Sequence, residues 1–241
     1  MKKYVILLAA GRGNRFNNAT PKQYAHISGI PIIVHTLNAF YEAAPDVERI
    51  LVLNRTDLEV WDQIIQTYNV QIPHRIVYGG EERFYSVKNV LKAISFPDDA
   101  LIGVHDIVRP FVSKQTIKNA YDSAEKYGAA VPVVNAVNTL RFVEATTNRA
   151  LNRPQVKVVQ NPQVFKYPIL KAAFEQNYQE HFFDDATVVE SNGQSIWLTE
   201  GNYENIKITY PQDIYLAEAI LKNTSNKTAY EYLYNWERLV G

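Results

Sequence analysis

Five short apolar, β-rich runs recur through the first half of the chain: YVILLAA (residues 4–10), RILVL (49–53), RIVYG (75–79), LIGVH (101–105) and AAVPVV (129–134). Runs that are apolar on both faces need cover on both sides, which a mostly parallel sheet between two layers of helices provides. Helical spacing fills the intervals, with Leu58, Trp61, Ile65 and Tyr68 in one and Val87, Val90, Leu91 and Ile94 in another. Thr56 and Glu59 have the spacing of a capping box for the first of these. Strand and helix in alternation make βαβ units, whose right-handed crossovers lay helices on both faces. The fold class is therefore α/β. The first run is too short to span a bilayer or to serve as the core of a signal peptide, and reads as a strand.

The rhythm breaks at about 137–165, where short alternating runs are separated by Thr-Asn-Arg and Asn-Arg-Pro turns. Such a stretch suits a β-arm that leaves the sheet. Helical signals return at 169–174 and 184–191, followed by a strand, SIWLT, a short ENIKIT segment, and a helix over about 210–221 that Thr209 and Gln212 could cap. The segment KNTSNK (222–227) leads into an amphipathic piece with Tyr230, Leu233, Tyr234 and Trp236. One domain over 1–224 and a helical tail over 225–241, packed on a partner or on the core, are expected.

Charge narrows the function. With 25 Lys and Arg against 25 Asp and Glu, the chain lacks the cationic excess of a general nucleic-acid or membrane-surface binder. With no Cys it has no disulfide, thiolate metal site or thiol nucleophile, and a cytoplasmic location is the expectation. The five histidines show no metal-ligand spacing, and no metal-binding residue is assigned.

Three loops carry the chemistry. The first strand runs into LLAAGRGNRFNNATPKQY, with Gly11, Gly13, Arg15 and Lys22. Glycines at a strand end let backbone N–H groups approach a phosphate, and the cations can neutralise it. The third glycine of a dinucleotide fingerprint is replaced by Phe16, and no Walker loop is present. GGEERFYSV (79–87) places Arg83 and Ser86 at a helix start, where Glu81 and Glu82 also suit the helix dipole. VHDIVRPFV (104–112) puts Asp106 and Arg109 just past the fourth strand. Each loop alone is an ordinary turn; all three fall at the carboxyl ends of strands, where open α/β sheets bind ligands. Asp184 and Asp185 open a helix and read as dipole partners.

Taken together, AAGRGNRF…PKQY, GGEERFYSV, VHDIVRPF, VQNPQVF, FDDATVVE and EGNYENIKIT resemble the polyol-phosphate cytidylyltransferases, above all the 2-C-methyl-D-erythritol 4-phosphate cytidylyltransferase family, and also the ribitol-5-phosphate enzymes. The resemblance covers about nine tenths of the chain. It implies a Rossmann-like nucleotidyltransferase domain whose β-arm pairs two subunits in a homodimer, and a transfer from CTP to a polyol phosphate assisted by Mg²⁺ held chiefly on the nucleotide phosphates. It places Ala9, Ala10, Gly11, Gly80, Glu81 and Ser86 around cytosine and ribose, with Arg83 in the same wall. Gly13, Arg15 and Lys22 surround the triphosphate, and Asp106, Arg109, Thr139, Arg153 and Lys207 the acceptor and the reacting centre. Arg15, Lys22 and Lys207 are the expected catalytic cations; Thr139 and Arg153 would serve the opposite subunit. A pentitol phosphate acceptor and a nucleotide binder without turnover are the alternatives. Asn138, Asn161 and Phe183 depart from the family pattern, and Phe183 is expected to close or reshape the acceptor pocket.

Overall fold

The computed structural model describes residues 1–11, 16 and 21–223. The expected tail over 225–241 lies outside the described residues. The chain opens with β1 (Lys3–Leu8), a hairpin of β2 (His26–Ile27) and β3 (Ile30–Pro31), and α1 (Ile32–Ala43). Next come β4 (Val47–Leu53), α2 (Leu58–Thr67), β5 (Arg75–Tyr78), α3 (Arg83–Ala93), β6 (Leu101–Asp106), α4 (Lys114–Tyr127) and β7 (Ala129–Asn135). The second half holds β8 (Arg141–Glu144), β9 (Thr147–Ala150), β10 (Lys157–Val159), β11 (Gln163–Lys166), α5 (Tyr167–Phe174), α6 (Asp185–Ser191), β12 (Trp197–Glu200) and α7 (Asp213–Asn223).

Eight strands form one sheet. β1 lies between β4 and β6, β5 extends the β4 side, and all of these pairs are parallel. β11 runs antiparallel between β6 and β7. Val133 pairs with both Val159 and Glu200, and Ala130 with both Val164 and Trp197. Since β12 takes one edge of β7, β10 and β11 must share the other, as one strand interrupted by Gln160, Asn161 and Pro162. The arm at about 137–165 is accordingly shorter as a protrusion: β8 and β9 pair only with each other and are exposed throughout, and from Lys157 the chain is back in the sheet. Alternation marks 157–165 as β structure but does not say which strand it joins.

Successive β1 residues explain the layers. Val5 and Leu7 face a core shared with α1, α2 and α4, whereas Tyr4 and Ile6 face a second core shared with α3, α5 and α6. Each such fully buried side chain stabilises the fold by roughly 1.5–3 kcal/mol. Two expected caps form differently. Thr56 donates to Asp57 and makes no box with Glu59, because a 3-10 turn over Arg55–Asp57 precedes α2. At α7 the Asp213 carboxylate reaches back to the N–H groups of Thr209 and Tyr210, so the helix starts at Asp213. No helix among the described residues is long and apolar enough to cross a membrane.

Candidate active site

The loops that follow β1, β4, β5 and β6 meet along one side of the sheet and enclose a cleft of about 970 Å³. Ala9, Ala10, Gly11, Lys22, Gly80, Glu81, Arg83, Ser86, Asp106 and Lys207 all line it. Gly13 and Arg15 lie outside the described residues. Thr139 and Arg153 belong to the arm and do not line the cleft of their own chain; Arg153 Nη1 donates to the Val137 carbonyl.

The nucleotide side is built from backbone held by amides. Gln23 Nε2 donates to Ala9 O at 2.9 Å and Asn54 Nδ2 to Ala10 O at 2.6 Å. Both carbonyls are thus satisfied by protein, a requirement for buried backbone. Sequence reasoning missed Gln23 and Asn54; their signal is weak, a polar residue beside a glycine-rich loop and another just past a strand. Gly80 N donates to Ser86 Oγ at 3.1 Å, so Ser86 holds the turn. A Cβ at Gly79 would come within 2.3 Å of Ala10 Cβ, which makes glycine obligatory where these two loops touch.

The opposite wall is electrostatic. Arg83 is bridged between two carboxylates, Nη1 to Asp106 Oδ1 and Nη2 to Asp185 Oδ2. Asp106 Oδ2 also faces Lys207 Nζ at 2.8 Å and Arg109 Nε at 3.9 Å. Burial alone would raise the Asp106 pKa, but the charges of Arg83, Lys207 and Arg109 outweigh it and hold the carboxyl well below the usual range. Arg109 is fixed in turn by a bond from Nη1 to Asn205 O, and Ile208 N donates to Val108 O, which pins the ENIKIT segment beside β6. Among the described residues no group of three or more His, Asp or Glu could hold a metal ion, and both Asp106 oxygens are engaged by cations. The described residues thus form no carboxylate cage for Mg²⁺.

Phe183 does not close this cleft. Its ring is 81% exposed and off the cleft wall, because the neighbouring Phe182 takes the buried position and stacks on Phe84 with centroids 5.6 Å apart. Asp184 and Asp185, expected to serve the α6 dipole together, divide the task. Asp184 caps α6 in a reciprocal box with Thr187, and Asp185 turns to Arg83.

His105 lies fully buried beneath Asp106, edge-on to Phe40, with Nε2 bonded to Arg109 O at 3.0 Å. Burial pushes its pKa down to about 3, the Arg109 carbonyl and Asp106 charge opposing this only partly. An unfolded chain takes up this proton near pH 6.5 and the folded chain does not, so stability falls as pH drops from about 6.5 towards 3, by up to about 1.4 kcal/mol per pH unit. His105→Gln, which can still donate to Arg109 O, should remove about one proton from that slope in urea titrations at pH 5 to 6. An unchanged slope would contradict the assignment. His35, also lowered by burial, supplies part of what remains.

An open α/β sheet whose strand ends hold a glycine-lined, cation-bearing cleft is the arrangement of a nucleotide-binding protein. The pattern of the family "IspD: 2-C-methyl-D-erythritol 4-phosphate cytidylyltransferase" matches residues 3–223, and the chain belongs to that family. The protein of that name from Bacteroides thetaiotaomicron is 42% identical over 92% of this chain and 100% of its own length. That from Porphyromonas gingivalis is 40% identical over 91% and 98%. Among solved structures, the 2-C-methyl-D-erythritol 4-phosphate cytidylyltransferase of Thermus thermophilus superposes with a TM-score of 0.71 at 30% identity, covering 92% of this chain and all of that one. The 4-diphosphocytidyl-2C-methyl-D-erythritol synthase of Anaerococcus prevotii gives 0.77 at 27% identity, covering 91% and 96%.

Proposed function

We propose that the chain transfers the cytidylyl group of CTP to the phosphate of 2-C-methyl-D-erythritol 4-phosphate, in the non-mevalonate route to isoprenoids. An acceptor phosphate oxygen attacks the α-phosphorus, the α–β bridging P–O bond breaks, and pyrophosphate leaves. The observation that carries this reading is the union in one cleft of a glycine-lined wall with Lys22 and Lys207 facing the same space. A phosphate monoester is already nucleophilic at neutral pH, so the task is alignment and neutralisation of charge.

In this reading Ala9 to Gly11, Gly80, Glu81 and Ser86 hold the cytidine, while Arg83, expected in the same wall, faces it from the side where it pairs with Asp106 and Asp185. Lys22, with Gly13 and Arg15, receives the triphosphate. Lys207 neutralises the reacting phosphates, and Asp106 and Arg109 orient the acceptor. Mg²⁺ would be carried on the triphosphate oxygens and lessen their charge. Thr139 and Arg153 would complete the site of a second copy across the exposed arm. The reading needs no nucleic acid or membrane, and a cytoplasmic location, where CTP is made and used, goes with it.

The test is pyrophosphate release with CTP and Mg²⁺ against methylerythritol phosphate, ribitol 5-phosphate and no acceptor, with the CDP product identified by mass. Turnover with methylerythritol phosphate is expected. Turnover with ribitol 5-phosphate alone would replace the acceptor, and silence with both in a chain that binds CTP would leave a nucleotide-binding protein.

A further inference from the structure

Outside the residues assigned above, the described part of the chain holds one buried carboxylate wired into the site. Asp185 is 1% exposed and makes its ion pair with Arg83. It reaches Arg83 from a helix 102 positions away in sequence, and that helix start is itself clamped. The fully buried Gln163 on β11 accepts from Ala186 N at 2.9 Å and donates from Nε2 to Asp184 Oδ2 at 2.7 Å. One side-chain amide thus ties the first turn of α6 to the central sheet. From there the connections run from Asp185 to Arg83, from Arg83 to Asp106, and from Asp106 to Lys207.

We propose that Asp185, held by Gln163, is a positioning residue for the transfer: by taking one arm of the Arg83 guanidinium it leaves Asp106 Oδ2 to orient Lys207. Asp185 and Asp106 compete for one guanidinium. A guanidinium is a planar fork that prefers to grip a carboxylate with two parallel bonds. In the structure its two Nη groups are shared between two acids, so Asp106 gives Oδ1 to Arg83 and keeps Oδ2 for Lys207. Without the charge on Asp185, Arg83 closes on both Asp106 oxygens and displaces the ammonium. The glycine wall is untouched by that change, so the defect falls on the acceptor side.

The inference rests on the proposed cytidylyl transfer, and its test is a double-mutant cycle in the CDP-product assay. Asp185→Asn should lower kcat roughly tenfold to a hundredfold, as displacement of a group by about an ångström does, with CTP affinity within about twofold of wild type. In a Lys207→Ala background the same substitution should cost less than about threefold, because the residue through which it acts is gone. Multiplicative losses, or an equal loss of CTP binding, would overturn the proposal. Should the Asp185→Asn chain not fold, Gln163→Glu, which sets a second carboxylate against Asp184, enters the same cycle under the same criteria. Wild type separates the two claims: no product from it overturns the transfer and this role together, whereas product with multiplicative losses overturns the role of Asp185 alone.

Discussion

Replacing Arg83 by Met is expected to lower stability by roughly 3–5 kcal/mol, or about 10 °C in melting temperature for a chain of this size, and to abolish turnover. The substitution keeps the aliphatic stem and removes the charge that Asp106 and Asp185 share. Asp106 retains Lys207 and Arg109, but Asp185 is left buried without another ion-pair partner among the described residues. A buried, unpaired carboxyl takes up a proton more readily than it does in the unfolded chain. Burial already raises the Asp185 pKa in the wild type against the opposing charge of Arg83, and without Arg83 it rises further, so the variant's deficit grows as pH rises and shrinks as pH falls. The deficit relative to wild type should thus be smaller at pH 5 than at pH 8 in chemical denaturation. A deficit independent of pH would mean that Asp185 is not the group left behind.

The same pair of residues shows where the sequence stops being informative. The strands were legible because a run apolar on both faces has few places to go, and the glycine loops because tight turns at strand ends restrict residue type. Asp106 and Arg109 were legible as charges on a loop at a strand end, whereas Lys207 was reached only through the family resemblance. Asp185 was not, since its partner is 102 residues away and a carboxylate at a helix start has an ordinary local explanation. Gln163 and Gln23 were hidden for a related reason: burial of an amide is decided by the packing around it, and nothing local distinguishes a buried Gln from a solvated one. Phe183 misled in the opposite direction. A ring beside the acidic pair looked like a pocket wall, but Phe182 filled the core and left its neighbour pointing to solvent. The short strand at 157–159 shows the same limit in the sheet, where alternation could not choose between the arm and β7.

Lys22→Ala is expected to cost about a hundredfold or more in kcat while leaving the melting temperature within a degree or two of wild type, because Lys22 lines the cleft and lies in neither hydrophobic core. Arg153→Ala should be inactive for a different reason. The arm carries Arg153 away from its own cleft, and in the proposed dimer it completes the neighbour's. Each variant chain then lacks what the other retains. A mixed dimer has one site with both defects and one with none, and half of randomly exchanged dimers are mixed. Equal amounts of the two inactive chains should therefore recover about a quarter of wild-type turnover after subunit exchange. Recovery identifies a site built from two chains. Inactivity of the mixture, with exchange demonstrated by differently tagged chains, would return Arg153 to its own subunit and remove the arm from the chemistry.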